Sequence, residues 1–362
     1  MRLASSLAST LLVSPTLVLG AYNLVRDYSG TNFFSGWDFY GNYDNLTNGD
    51  VIYVNQTNAT NLAYRNSVRI TSQDYFPIGT VWVMDAAHMP FGCSVWPSIW
   101  TKGVNWPIGG EIDIIEGVNL MTYNQMALHT ENGCTQSTTL TQSGQTGSTN
   151  CSSVAGCTVV EEQASSYGSS FASAGGGVWA TQLDTSGIYV WFWTRDNIPS
   201  SVSSATDTID PSTWGTPSAA YPSSSCNISE FFTPQQLVVD ITLCGDWAGG
   251  ATVYQATCGG DGTADACYLD NVIGNGTNYN NAYFEINYIK AFTVNSTVLS
   301  PTTSGGSAVL ETSTSTATSI AASGTGASTQ SGSGAAATWN PLHAYAAVVG
   351  TTAISALSWL LL

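Results

Sequence analysis

Basic residues are scarce. The chain has 362 residues with seven Lys and Arg against 24 Asp and Glu, a formal net charge of −17. Nucleic acid and anionic membrane are therefore poor partners, whereas a neutral polymer such as a glucan is not excluded by charge. Long amphipathic helices are also missing, because no long segment repeats its apolar residues every 3.6 positions. No internal repeat is found. No cysteine pair has the C-x-x-C spacing of a zinc site, so no metal and no other cofactor is expected.

What is present points outside the cytosol. Eight cysteines (Cys93, Cys134, Cys151, Cys157, Cys226, Cys244, Cys258 and Cys267) all lie in the body of the chain. Residues 1–20 carry Arg2, then an apolar run through Leu11, Leu12, Val13, Leu17, Val18 and Leu19, then small residues before Ala21. That is the pattern of a cleaved secretory signal peptide. An even cysteine count behind such a leader implies disulfides, with the pairing left open. N-x-S/T sequons at Asn45, Asn55, Asn58, Asn150, Asn227, Asn275 and Asn295 agree with secretion. Residues 298–338 are rich in Ser, Thr, Gly and Ala and read as a low-complexity, O-glycosylated spacer. Residues 339–362 form a terminal hydrophobic signal with no Lys or Arg after it. Small residues at Ser331, Gly332 and Ser333, a short spacer and that tail predict a GPI anchor attached within 331–333. The expected location is the cell surface, with membrane contact only through the lipid.

The body, residues 21–297, is long enough for one large domain. Strand-like runs occur at residues 51–54, 67–71, 79–86, 111–118, 123–130, 178–183, 188–194, 236–243 and 283–294, separated by Gly, Asn, Ser and Pro. They predict an all-β antiparallel sandwich. The run Ile188-Tyr189-Val190-Trp191-Phe192-Trp193 is apolar on both faces, so something must cover each side. Two long stretches, about 131–177 and 196–235, read as loops ordered by disulfides.

The chemistry concentrates in Gly109-Gly110-Glu111-Ile112-Asp113-Ile114-Ile115-Glu116-Gly117, where three acids fall within six positions. The isoleucines favour a strand. Side chains alternate along a strand, so Glu111 and Asp113 share a face and Glu116 has the wrong parity. A β-bulge near Ile114-Ile115 would return Glu116 to the acidic face. Three adjacent carboxyls repel, and a like charge raises a carboxyl pKa, so at least one holds a proton at neutral pH. One ionised carboxylate beside one protonated acid is the division of labour of glycoside hydrolysis. An exposed acidic strand or a calcium loop is the competing reading, but calcium loops use Gly, Asn and Asp rather than isoleucine.

Aromatic residues crowd this stretch, and sugar faces stack on indole rings. Trp96, Trp100 and Trp106 precede it, while Trp191, Trp193 and Trp247 follow. Trp106 leads straight into the acidic strand and is the strongest ligand candidate. A hairpin from 111–118 back through 123–130 would bring His129 near the carboxylates, whereas His88 reads as structural.

At these residues the chain resembles glycoside hydrolase family 16, and more narrowly the fungal laminarinase-type endo-β-1,3(4)-glucanases. The match rests on Trp96-Pro97-Ser98-Ile99-Trp100, on the run from Gly110 to Asn119, on His88-Met89-Pro90-Phe91-Gly92-Cys93 and on Gly245-Asp246-Trp247. It covers most of residues 21–297, and the bulged spacing fits the laminarinase branch rather than the unbulged lichenase and transglycosylase types. The resemblance implies a concanavalin A-like jelly roll with its cleft across the concave sheet. It implies a retaining mechanism with Glu111 as nucleophile, Glu116 as acid/base and Asp113 tuning the pair. Trp106, His129, Trp100, Trp191, Trp193, Trp247 and Asn119 are the candidate substrate-binding residues. The substrate expected is a β-1,3 or mixed β-1,3/1,4 glucan, and the protein is expected to be a monomer. A wall-glucan transglycosylase and a non-catalytic carbohydrate binder are the alternatives.

Overall fold

The structure is a computed structural model that describes residues 21–56, 66–304 and 307–314. The expected signal peptide, the attachment site within 331–333 and the hydrophobic tail lie outside the described residues. So does all of a second compact unit, Ser319–Leu362. Among the described residues no helix is long and apolar enough to cross a membrane.

The early strands are β1 (Tyr22–Ser29), β2 (Trp37–Phe39), β3 (Ile52–Tyr53), β4 (Asn66–Ser67), β5 (Arg69–Ser72), β6 (Thr80–His88) and β7 (Val95–Gly103). The acidic stretch is β8 (Glu111–Glu116), and its return strand is β9 (Gln125–His129). Then come β10 (Gln145–Thr146), β11 (Cys157–Val160), β12 (Gly177–Asp184), β13 (Gly187–Thr194), β14 (Thr208–Ile209) and β15 (Ala219–Pro222). The last are β16 (Gln235–Leu243), β17 (Glu285–Thr293), β18 (Thr297–Ser304) and β19 (Ser307–Thr314).

Two antiparallel sheets form the sandwich. One has seven strands in the order β14-β1-β17-β6-β12-β13-β15, and the other, which curls, has eight in the order β10-β11-β9-β8-β7-β16-β5-β2. Alternation explains how they pack. Ile99 of β7, Ile112 of β8, Met126 and Leu128 of β9, Trp82 and Met84 of β6, and Val190 and Phe192 of β13 fill one core between the sheets. Their neighbours in sequence face the other way.

The apolar run in β13 is covered twice, as its composition requires. Ile188, Val190 and Phe192 enter the inter-sheet core, whereas Trp191 and Trp193 lie on the outer face of the seven-stranded sheet. There Ile198, Val202, Ala205, Ile209 and Trp214, from the segment after β13, form the second layer.

Three expectations need adjustment. β7 is absent from the strand-like runs expected from the sequence, and its Pro97 is a residue that central strands disfavour. Pairing between β7 and β8 starts at Ser98↔Glu116, so Pro97 sits where that ladder has already ended. The two long loops contain β10, β11 and β15, which extend the two sheets, and Cys134–Cys226 joins one stretch to the other. Finally, the fold runs past residue 297: β18 pairs with β19, Val298 is fully buried and Leu299 bridges to Tyr75. Thr and Val carry strand propensity there, which the Ser- and Thr-rich composition hides. The remaining disulfides are Cys93–Cys258, Cys151–Cys157 and Cys244–Cys267.

Candidate active site

The bulge is present. Along β9 the pairing runs Glu111↔His129, Ile112↔Leu128 and Asp113↔Ala127, then jumps to Glu116↔Gln125. Ile114 and Ile115 therefore oppose Met126 alone, and both isoleucines are fully buried in the core. Glu111, Asp113 and Glu116 return together to the open face of the curled sheet. On β7 their partners are Lys102, Trp100 and Ser98.

Two glycines make the approach. Gly109 and Gly110 have φ of 97° and 79°, in the region open to glycine. A Cβ on Gly110 would also run into the Phe232 ring. The chain thus folds back tightly enough for the Trp106 indole Nε1 to donate to Glu111 Oε2. A second indole holds the other glutamate: Trp96 Nε1 donates to Glu116 Oε1 at 2.9 Å. His129 Nε2 lies 3.3 Å from Asp113 Oδ2. Trp100, under Trp106 at 6.2 Å between ring centroids, donates to Asp240 Oδ1 at 3.2 Å.

Burial dominates the electrostatics. It pushes Glu111 up to about 8, helped by the Asp113 charge and opposed by His129 and the Trp106 N–H. Asp113 is pushed up to about 7 by burial, and the hydrogen bond from Glu111 opposes the rise. That hydrogen bond favours the ionised form of Asp113 and the protonated form of Glu111, so the two share a proton held on the Glu111 side. Glu116 is also raised well above the usual carboxyl value, by burial first and then by the Asp113 charge, which favours its protonated form. Asp240, on β16, is also raised to about 7 by burial and adds its charge to the field at Asp113.

The structure sorts the candidate binders. Trp106, Trp100 and His129 line the acidic face. Trp247 stands edge-on to Trp96 at 5.6 Å and so borders the Glu116 end. Trp191 and Trp193 do not join them. They pack against Trp214 at 5.1 and 5.4 Å, and the Trp191 N–H is spent on Gly215 O. They belong to the opposite sheet's outer layer, which periodicity cannot distinguish from a cleft. Asn119 is likewise structural: fully buried, it accepts from Ser94 N at 2.8 Å and donates to Ala248 O at 3.0 Å. His88 stacks on Tyr283 at 3.9 Å, as a structural residue does.

Several site residues were not singled out from sequence. Trp96 is named among the aromatics around the acidic strand but not among the candidate binders, although it lies four residues before Trp100 on one strand and shares its face. Lys102, beside Glu111, Asp240, and Arg69, stacked on Tyr40 at 3.6 Å, come from strands brought together only by folding. Glu111, Asp113 and His129 each offer an atom within 4.8 Å of the others, the one such cluster among the described residues. The indole N–H already directed at Glu111 and the protons retained by raised pKa values make it a poor cation site.

A row of carboxyl groups on the open face of a two-sheet sandwich, gripped by indole donors, is by class a β-sandwich carbohydrate-active enzyme. The model of the XgeA-like catalytic GH16 domain matches residues 60–292. The chain belongs to glycoside hydrolase family 16. It is 36% identical to a probable glycosidase of Schizosaccharomyces pombe over 77% of this chain and 71% of that one. It is 35% identical to the endo-1,3(4)-beta-glucanase xgeA of Emericella nidulans over 85% of this chain and 53% of that one. The chain thus spans about half the length of that glucanase relative. Among solved structures, laminarinase 16A of Phanerochaete chrysosporium, in complex with 6-O-glucosyl-laminaritriose in donor and acceptor sites, is 34% identical with a TM-score of 0.70. An elongating GH family 16 β-1,3-glucosyltransferase is 37% identical with a TM-score of 0.68. Each matches 75% of this chain and 100% of the other. The jelly-roll fold of the laminarinases is therefore the fold of this domain.

Proposed function

We propose that this domain is a retaining endo-glucanase that hydrolyses β-1,3 and mixed β-1,3/1,4 glucans. One observation carries the reading: the bulge in β8 puts Glu111, Asp113 and Glu116 on one face, with a separate indole donor on each glutamate. When substrate docks, the proton on Glu111 passes to Asp113, and the freed carboxylate attacks C1 of the sugar. Glu116 gives its proton to the departing glycosidic oxygen, leaving a glycosyl ester on Glu111. Water then attacks C1. Glu116 takes the water's proton, and Glu111 leaves as carboxylate. Trp106 favours the anion on Glu111 through its N–H, and Trp100, Trp106 and Trp247 offer indole faces or edges to the glucan.

The test is a digest of laminarin, lichenan, pustulan and wall glucan with product sizes resolved. Internal cleavage of laminarin is expected, with slower or no attack on pustulan. Failure to cut any β-1,3 glucan would overturn the reading. The likeness to an elongating glucosyltransferase favours a second reading, in which a sugar replaces water in the second step. Excess acceptor oligosaccharide separates them, since transfer lengthens chains and hydrolysis shortens them.

The proposal includes the location and state of the protein. Export through the leader at 1–20, a lipid anchor within 331–333 and a monomeric domain are its parts. The four disulfides support an oxidising compartment. Phospholipase C should release activity from intact cells, and the released protein should run as a monomer by light scattering. Activity retained on the membrane would count against the anchor.

A further inference from the structure

The bulge creates a problem in the backbone. Where the β8–β9 register jumps, the ladder skips Ile114 and Ile115, and the peptide groups there lose their regular partners. A buried backbone group without a partner is costly and rare in folded proteins, so something must replace the missing peptide. The replacement is the side chain of Asn124, the residue just before β9. Its Nδ2 donates to Ile114 O at 2.9 Å, and its Oδ1 accepts from Glu116 N at 2.9 Å. A carboxamide has the donor and acceptor of a peptide group, so one side chain spans the gap.

Asn124 is itself fixed. It is fully buried. Its backbone N donates to Ser166 Oγ at 3.2 Å, and its backbone O accepts from Glu161 N at 2.9 Å. Ser166 and Glu161 are buried and come from the stretch between β11 and the helix Gly168–Ser173. Tyr167, next to Ser166, packs its ring where a Cβ on Gly117 would sit. The bulge is thus clamped from outside the hairpin that contains it.

We propose that Asn124 is a positioning residue for the reaction: by holding the backbone N–H of Glu116, it aims that carboxyl at the glycosidic oxygen. Glu116 is then gripped at two points, its amide by Asn124 and its carboxyl group by Trp96. Ser166 acts one step further out, by holding Asn124. The inference rests on the hydrolase reading of the same site and predicts a particular kind of defect. Without Asn124 the strand relaxes toward regular pairing, which swings Glu116 toward the isoleucine face. Proton donation to the leaving group suffers first, while attack by Glu111 is kept.

The experiment compares two substrates in wild type, Asn124→Ala and Ser166→Ala. Laminarin needs a proton on its leaving oxygen, whereas 2,4-dinitrophenyl β-laminaribioside releases a phenolate that needs none. Asn124→Ala should lose about 10²-fold in kcat on laminarin, the scale of general acid catalysis. The initial burst of dinitrophenol should fall by much less. Ser166→Ala should move the same ratio in the same direction by a smaller factor. Equal losses on both substrates, or an unchanged ratio, would overturn the proposal. If Asn124→Ala gives no folded protein, the ratio in Ser166→Ala decides alone. If wild type turns over neither substrate, the hydrolase reading has failed on its own. A crystal structure of the variant that folds then decides the matter, because a Glu116 left in place refutes the positioning role and a displaced one supports it.

Discussion

Trp96 and Glu116 sit on adjacent strands, and the indole nitrogen of one lies 2.9 Å from the carboxylate of the other. The bond opposes the burial that raises Glu116. Trp96→Phe keeps most of the ring and removes the donor. The Glu116 pKa should then rise further, and the limb of the kcat/KM profile that reports it should move to higher pH. At neutral pH the base step should slow about 10-fold, the scale of one hydrogen bond to a charge. A pH profile identical to wild type would show that Trp96 does not act on Glu116.

Exchanging the two glutamates one at a time tests their roles. Glu111→Gln should abolish turnover whatever the leaving group, because no nucleophile remains. Glu116→Gln should lose roughly 10²–10⁴-fold on laminarin. Added azide should restore turnover of an activated aryl glycoside by that second variant only, since azide needs no general base. Rescue of Glu111→Gln alone would reverse the assignment.

The acidic face also sets a pH dependence of stability. Glu111, Asp113 and Asp240 have folded-state pKa values of about 8, 7 and 7, above the usual value near 4, and burial raises Glu116 in the same direction. The fold therefore binds more protons than the unfolded chain between about pH 4 and 8, so stability falls as pH rises through that window. Each site contributes a slope of up to about 1.4 kcal/mol per pH unit while it titrates. Melting temperature should be higher at pH 5 than at pH 8, and Asp240→Asn should flatten the decline. A melting temperature that climbs from pH 5 to 8 would contradict the burial argument.

The tryptophans should divide by sheet. Trp214→Ala opens a hole beneath Trp191 and Trp193 and should cost about 3–5 kcal/mol of stability, with the KM for laminarin unchanged in the folded fraction. Trp106→Ala should do the reverse, lowering kcat/KM at nearly constant melting temperature. Thermal denaturation and steady-state kinetics on the same preparations check both. A raised KM in Trp214→Ala would mean that the outer layer reaches the substrate.

The acidic strand, the parity break and the need for a bulge were legible in the sequence, because strand alternation and the spacing of three acids are local properties. So was the double-sided burial of β13, although not the identity of either cover. Local pattern fails where several structures share one pattern. Trp191 and Trp193 read as ligand residues because an outward-facing indole looks the same under a second layer as over a sugar. Asn119 sits in the family motif yet spends both ends of its amide on the fold. Residues 298–304 looked like spacer because composition was weighed above strand propensity.

From its own order of residues, this chain determined that three carboxyls would meet on one strand and that the strand had to break register to bring them there. Only the tertiary structure decided what holds the break open. The amide of Asn124 answers two peptide groups on β8, and its own support comes from Ser166, far along the chain. Spacing along a strand is set by covalent geometry and can be counted. The partner of an orphaned peptide group is set by which distant segments pack against it, and no period in the sequence records that.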